Sequence, residues 1–275
     1  KSISRHTQEH HEIIFVDNGS TDGTVKWLQD QAKENKISCL IENKENLGFT
    51  KGCNQGIEAS TGEFILLLNN DVVVAEGWLT GMLDCLKNAP DAGIVGSMTN
   101  NSRGLQQVVD DSYRSVDYLD KYAAKFKEQY RHRQIPYQNI AGFCMLFKRR
   151  LAEKIGLLDE RFGTGHFEDE DFCLRAALAD YRNYIAGDVF IHHHGGKGSP
   201  GDRKIIEEKW VLSITSPEGK KLAVLKSTEL ADELYQKGKV DQAAEALINC
   251  IKLTPEAKEI YYELARMFIE SKRFA

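Results

Sequence analysis

Glu12-Ile13-Ile14-Phe15-Val16 runs directly into Asp17-Asn18-Gly19-Ser20-Thr21-Asp22-Gly23-Thr24, and this junction decides the fold. Four apolar, β-prone residues stop at a polar loop containing two glycines, and Thr24 then opens an amphipathic stretch reaching about Asn35. The rhythm repeats with a strand over 38–42, a loop, a helix near 51–60 and a strand over 63–68. Strands and helices alternating at this spacing predict an α/β fold with a mostly parallel central sheet flanked by helices. In open sheets of this kind ligands gather outside the carboxyl ends of the strands, where the loops at 17–22 and 69–71 fall.

Composition narrows the class of partner. The 275 residues are 41% hydrophobic and 28% charged, enough apolar material for one large domain and a small one. A net charge of -5 with scattered Lys and Arg offers no basic field for nucleic acid. No apolar run is long enough to cross a bilayer; Phe64-Ile65-Leu66-Leu67-Leu68 suits a buried strand. Six widely spaced cysteines without a CxxC pair read as small core hydrophobes in a reducing compartment. The expectation is a cytoplasmic protein, at most peripheral at the inner face of the membrane.

Motif spacing excludes three ligand classes. Gly19 and Gly23 do not make GxGxxG, and no GxxxxGK[ST] loop is present, which argues against nicotinamide and P-loop chemistry. Asn18-x-Ser20-x-Asp22-Gly23 imitates half of a calcium loop, but the twelfth position is Gln29 rather than Glu. A sugar nucleotidyltransferase would need a Gly-rich, basic triphosphate loop near the start, and none is found there.

Phe167-Glu168-Asp169-Glu170-Asp171-Phe172-Cys173-Leu174-Arg175 packs four carboxylates into the start of a predicted helix. Mutual repulsion and burial raise carboxyl pKa values while a helix N-terminus lowers them, a combination that can tune a general base. The plainer reading is an acid-rich helix start in which Asp171 supports Arg175 one turn later.

Val16-Asp17-Asn18-Gly19-Ser20-Thr21-Asp22-Gly23-Thr24, Asn46-Leu47-Gly48-Phe49 with Asn54-x-Gly56, Leu68-Asn69-Asn70-Asp71, the acidic run and His192-His193-His194-Gly195-Gly196 follow one another in order. Over about residues 10–200 this series resembles the inverting family 2 glycosyltransferases, whose nucleotide-sugar-binding domain has the GT-A fold. The resemblance implies a nucleoside-diphosphate sugar donor, a glycan or protein acceptor, and a single displacement assisted by Mn²⁺ or Mg²⁺. Asp17 would contact the nucleotide, with Gly19 letting the backbone turn closely around it, although taken alone Asp17 reads as an Asx-turn residue. Asn46, Gly48 and Asn54 correspond to a second nucleotide-side loop, with helix capping the alternative for Asn46.

Asn69 and Asn70 stand where the family carries a DxD-type motif, leaving Asp71 as its one carboxylate and a weak hold on free metal. The family often adds a histidine ligand. The following glycines select His193, whereas counting from the strand selects His192; alternation puts His193 on the opposite face from His192 and His194. Asp169 corresponds to the catalytic base of the family's Glu-Asp pair, and Glu168 would orient the acceptor or a neighbouring side chain. Ala141–Phe147 reads as the strand beneath the donor phosphates, with Gly142 allowing close approach, or as a packed central strand. Trp78 and Trp210 fit core positions in helices.

Residues 1–215 are thus expected to form a GT-A domain. It lacks the family's usual first apolar strand, since Lys1–His11 is polar and His-rich, and a missing segment is the expectation. Residues 216–224, with Ser-Pro-Glu-Gly-Lys-Lys, read as a linker. In 225–275, Leu230-Ala231, Leu234 and Val240 recur 34 positions later as Leu264-Ala265, Phe268 and Phe274, with Gly238, Ala243 and Pro255 at turn, contact and terminator positions of a tetratricopeptide repeat. Such helices would dock on a protein partner or self-associate; a plain helical hairpin is the alternative. A noncatalytic scaffold carrying a degenerate transferase domain is the competing function, motivated by the absent strand and the thinned Asn-Asn-Asp motif.

Overall fold

The computed structural model describes residues 1–102, 104–163, 165, 167–195 and 217–270, so the expectations placed on Gly196, Trp210, Ser216 and Phe274 fall outside them. Two compact units divide the chain, Lys1–Glu207 and Glu208–Ala275.

The first unit begins with a short helix α1 (Ser2–His6) and then alternates β1 (Ile14–Asn18), α2 (Thr24–Lys33), β2 (Cys39–Asn43), α3 (Phe49–Ala59) and β3 (Phe64–Leu68). These bounds lie within about two residues of those read from the sequence, because the apolar runs and polar stops are unambiguous. Next come β4 (Val72–Val73), α4 (Trp78–Asn88), β5 (Ala92–Thr99), α5 (Leu119–Gln129), β6 (Gln134–Pro136), β7 (Cys144–Lys148), α6 (Arg149–Ile155), α7 (Glu168–Leu178) and β8 (Arg182–His193).

The main sheet has the order β3-β7-β5-β8-β4, with β6 also on β8. It is mixed. β5 and β8 pair in parallel and β3 shares their direction, while β7 runs antiparallel between β3 and β5, and the short β4 and β6 run antiparallel to β8. β1 and β2 form a separate parallel pair, and among the described residues no strand joins β1 to β3. Residues ahead of β1 pack elsewhere: Thr7 Oγ1 accepts from the indole of buried Trp78 at 3.1 Å, and Ser2 Oγ from Val74 N at 3.3 Å.

Apolar residues cover both faces of the central strands, as strands sandwiched between helices require. Cys144 and Leu146 point with Val95 into a core containing Trp78, Met82 and Leu86 of α4. Met145 and Phe147 point the other way with Ile94 and Ile185, against Ile57, Leu151 and Phe172. Four of the six cysteines, at 85, 144, 173 and 250, are buried as apolar fillers.

The second unit contains α8 (Pro217–Gln236), α9 (Val240–Leu253) and α10 (Lys258–Glu270) around Ala231, Ala243, Leu247, Cys250, Ile260 and Met267. Residues 217–224, where the sequence suggests a linker, are the first turns of α8. Proline suits the first turn of a helix, and the Lys-Lys-Leu-Ala-Val-Leu that follows consists mostly of good helix formers.

Candidate active site

Asp17 lies buried near the end of β1, and its Oδ2 accepts from Gly19 N and Ser20 N, both at 3.0 Å. That is the Asx turn, with the carboxylate shaping its own loop. Gly19 has φ +76, and a Cβ there would lie 2.9 Å from Glu45 Cα, so no side chain fits between the two loops. Asn46 Oδ1 accepts from Gly48 N at 2.9 Å, and Gly48 is the residue that caps α3. Gly48 has φ +92 and abuts the Gly163 carbonyl, where a Cβ would clash at 2.4 Å. Asn54 is inside the fold: its amide donates to Leu158 O at 2.9 Å and accepts from Leu158 N at 3.0 Å, bracing α3 against the approach to α7.

A second group forms where β3 and β8 end and β7 begins. Asn69 N donates to Phe143 O at 2.9 Å, the exposed Asn70 follows, and Asp71 O accepts from His194 N at 2.9 Å. Of the three histidines, His193 faces Asp71, its Nε2 3.3 Å from Oδ1. That contact lacks hydrogen-bond alignment, and Asp71 Oδ1 is a buried oxygen without a donor among the described residues. His193 is fixed by Asn101 O at 2.8 Å from its Nδ1 and by stacking on Phe143 at 4.9 Å and 14°. With Nδ1 engaged, Nε2 is left to face the carboxylate. His192 points to the other side, its Nδ1 2.8 Å from the Tyr113 hydroxyl, and burial followed by its histidine neighbours lowers its pKa.

An orphaned carboxylate oxygen beside an imidazole fits a divalent cation. Among the described residues no three His, Cys, Asp or Glu side chains converge on one point. An ion held by Asp71 and His193 would therefore complete its shell with water and phosphate oxygens.

The acidic run divides by environment. Asp171, with no exposed surface, pairs with Arg175 at 2.9 Å, and the guanidinium also donates to the carbonyls of Ile155, Gly156 and Leu157. Glu170 Oε1 accepts from Asn139 at 3.3 Å. Glu168 and Asp169 instead face Gly142 in the Ala141-Gly142-Phe143 turn that leads into β7. Asp169 Oδ2 accepts from Gly142 N at 2.8 Å and Oδ1 from Glu170 N at 2.8 Å, bonds that favour its ionised form at the helix N-terminus. Glu168 is 5% exposed, its Oε2 has no hydrogen-bond partner among the described residues, and burial together with the Asp169 charge pushes its pKa up to about 7. Adjacent carboxyls with opposed environments suit different protonation roles.

One consequence can be measured in the absence of substrate. Because the fold disfavours ionised Glu168, stability falls as pH rises from the unfolded value through about 7. Glu168→Gln should match the parent at about pH 4, below the unfolded value, and exceed it at about pH 8 by up to about 3 kcal/mol in urea unfolding. An equal difference at both pH values would refute the assignment.

The Ala141-Gly142-Phe143 turn connects both groups, since Gly142 binds Asp169 while Phe143 holds Asn69 and stacks on His193. Phe143, Asn100, Gln106 and Tyr113 were not singled out in the sequence. Asn100 brackets His193 by accepting from its N–H at 2.9 Å and donating to its carbonyl at 3.1 Å. Gln106 accepts from Ala141 N at 2.8 Å. Their one sequence signal is an Asn-Asn-Ser break directly after β5.

The profile of glycosyl transferase family 2 matches residues 1–156, more than half of the chain. The chain belongs to glycosyl transferase family 2. This family 2 chain is 25% identical over 175 residues to a poly-beta-1,6-N-acetyl-D-glucosamine synthase of Staphylococcus aureus, covering 63% of the chain and 40% of that relative. It spans from 21% to 40% of the length of the first curated relatives it matches. Its fold is that of GT-A enzymes. A mannosyltransferase from Pyrobaculum calidifontis, solved with GDP-Man and Mn²⁺, superposes with a TM-score of 0.52 at 16% identity, covering 100% of this chain and 70% of that one. TarS of S. aureus in complex with UDP-GlcNAc gives 0.53 at 16% identity, covering 97% and 82%. No helix among the described residues is long and apolar enough to cross a membrane.

Proposed function

We propose that this family 2 chain transfers a sugar from a nucleoside-diphosphate sugar to a hydroxyl of a glycan or protein acceptor, with inversion and by single displacement. The observation carrying this reading is the turn into β7, which sets the Asp169 carboxylate beside Gly142 and, one residue on, Phe143 against His193 next to Asp71. A base and a diphosphate-side cation position thus share one short piece of backbone.

In this mechanism the loops after β1 and β2, with Asp17, Gly19, Asn46 and Gly48, receive the nucleotide, and Asn54 holds α3 to the segment at Leu158. Asn69, Asn70 and Gly142 line the sugar and phosphates. Asp169 takes the proton of the acceptor hydroxyl as that oxygen attacks the anomeric carbon, and the bond from that carbon to the diphosphate breaks on the opposite face. Glu168, protonated at its unpartnered oxygen, can donate a hydrogen bond to substrate beside Asp169. Asp71 and His193 would hold Mn²⁺ or Mg²⁺, which supplies Lewis-acid neutralisation of the charge on the leaving diphosphate.

The second unit is read as a tetratricopeptide-like pair for a protein partner or self-association. Support comes from the Gly238 turn at φ +73, fully buried Ala243, and an Asp232–Arg266 ion pair of 3.0 Å spanning the 34-residue period.

Isothermal titration with uridine, thymidine and guanosine diphosphates, with and without Mn²⁺, tests the donor site. One nucleotide should bind with Mn²⁺ and weaken about tenfold or more when the metal is withheld or Asp71 is replaced by Ala. Binding indifferent to both removes the metal role, and no binding by any of the three favours the scaffold reading.

A further inference from the structure

The segment between β5 and α5 leaves a cavity of about 320 Å³ walled by Asn100, Gln107, Val109, Asp110, Asp111 and the rings of Tyr113 and Tyr122. Its aromatic wall is packed from behind. Tyr113 and Tyr122 lie 4.8 Å apart and each meets buried Phe190 edge to face, at 4.8 Å and 4.7 Å. Asp110 accepts from Ser112 N and from the Tyr122 hydroxyl, both at 2.8 Å, and hydrogen bonds from the Ser112 side chain first, then from Ser112 N and Tyr122, hold its carboxyl below the usual carboxylate range. A carboxylate has about four lone-pair sites, so Asp110 can accept from one further donor.

Aromatic rings, ionised carboxylates and amides around a space of this size match the needs of a sugar ring: its C–H face lies on an aromatic surface and its hydroxyls donate to the acids. The same lining repels a nucleotide, because two aspartates and no Lys or Arg face the cavity among the described residues.

The cavity wall is also tied to the candidate active site. Asn100 brackets the His193 backbone, the Tyr113 hydroxyl meets His192 at 2.8 Å, and Gln106, next to Gln107, holds Ala141 beside the residue that donates to Asp169. We propose that this cavity is an acceptor subsite that binds one sugar residue of a carbohydrate acceptor. Its place in a reaction rests on the transferase reading above, but its capacity to bind sugar does not.

Saturation-transfer NMR on the full chain with methyl β-glucoside, methyl β-galactoside and methyl N-acetyl-β-glucosaminide, each beside a capped Gly-Ser-Gly peptide, tests this. At least one glycoside should receive saturation. That binding should weaken about tenfold or more in Val109→Trp, which fills the cavity from a position 88% exposed, and in Asp111→Ala. Nucleotide titration should be unchanged in both variants. Undiminished glycoside signals in both, signals from the peptide alone, or nucleotide binding without any glycoside binding would each overturn the subsite. Glycoside binding sensitive to both variants but without nucleotide binding would keep the sugar cavity and remove the transferase reading instead.

Discussion

Asp169→Asn should lower turnover of the nucleotide sugar about a thousandfold or more, measured as nucleoside-diphosphate release to water or an added acceptor. An amide keeps the size and one acceptor for the Gly142 and Glu170 N–H groups, yet cannot take a proton from the attacking hydroxyl. Nucleotide affinity and unfolding midpoint should stay near those of the parent, which separates lost chemistry from lost structure. Turnover within about tenfold of the parent would remove Asp169 as the base.

Asp171→Ala should cost about 3 kcal/mol in urea unfolding, because it leaves a half-buried guanidinium without its carboxylate. Arg175 is 15% exposed and ties the end of α6, through three carbonyls, to the helix that presents Asp169. The paired replacement Asp171→Leu with Arg175→Met should recover most of the loss, since no charge is then left buried. A single-variant loss below about 1 kcal/mol would show that the pair is solvated and carries little stability.

Asp171 and Asp169 also mark how far the sequence could be read. Four consecutive acids announced an unusual helix start, and the i,i+4 relation between Asp171 and Arg175 was legible. Which acids face the Gly142 turn was not, because that depends on how α7 is rotated against β7. Similarly, the Gly48 motif was visible, but the need for glycine comes from the Gly163 carbonyl, 115 positions later. Asn54 stood out as part of a motif, while its exchange of hydrogen bonds with Leu158 spans 104 residues.

The sheet divides in the same way. Apolar runs ending in polar loops located β1, β2 and β3 within about two residues, since burial and backbone geometry act locally there. The antiparallel insertion of β7 between β3 and β5 arises from pairing between distant segments.

By itself the sequence determined the α/β alternation, the loops at strand ends and the ordered motifs of the family, because each is written in neighbouring residues. Only the tertiary structure decided that His193 rather than His192 meets Asp71, that Glu168 is buried beside Asp169, and that Tyr113 and Tyr122 line one side of a cavity. Those outcomes depend on where remote backbone places a carbonyl, a ring or a charge, and on the solvent excluded there.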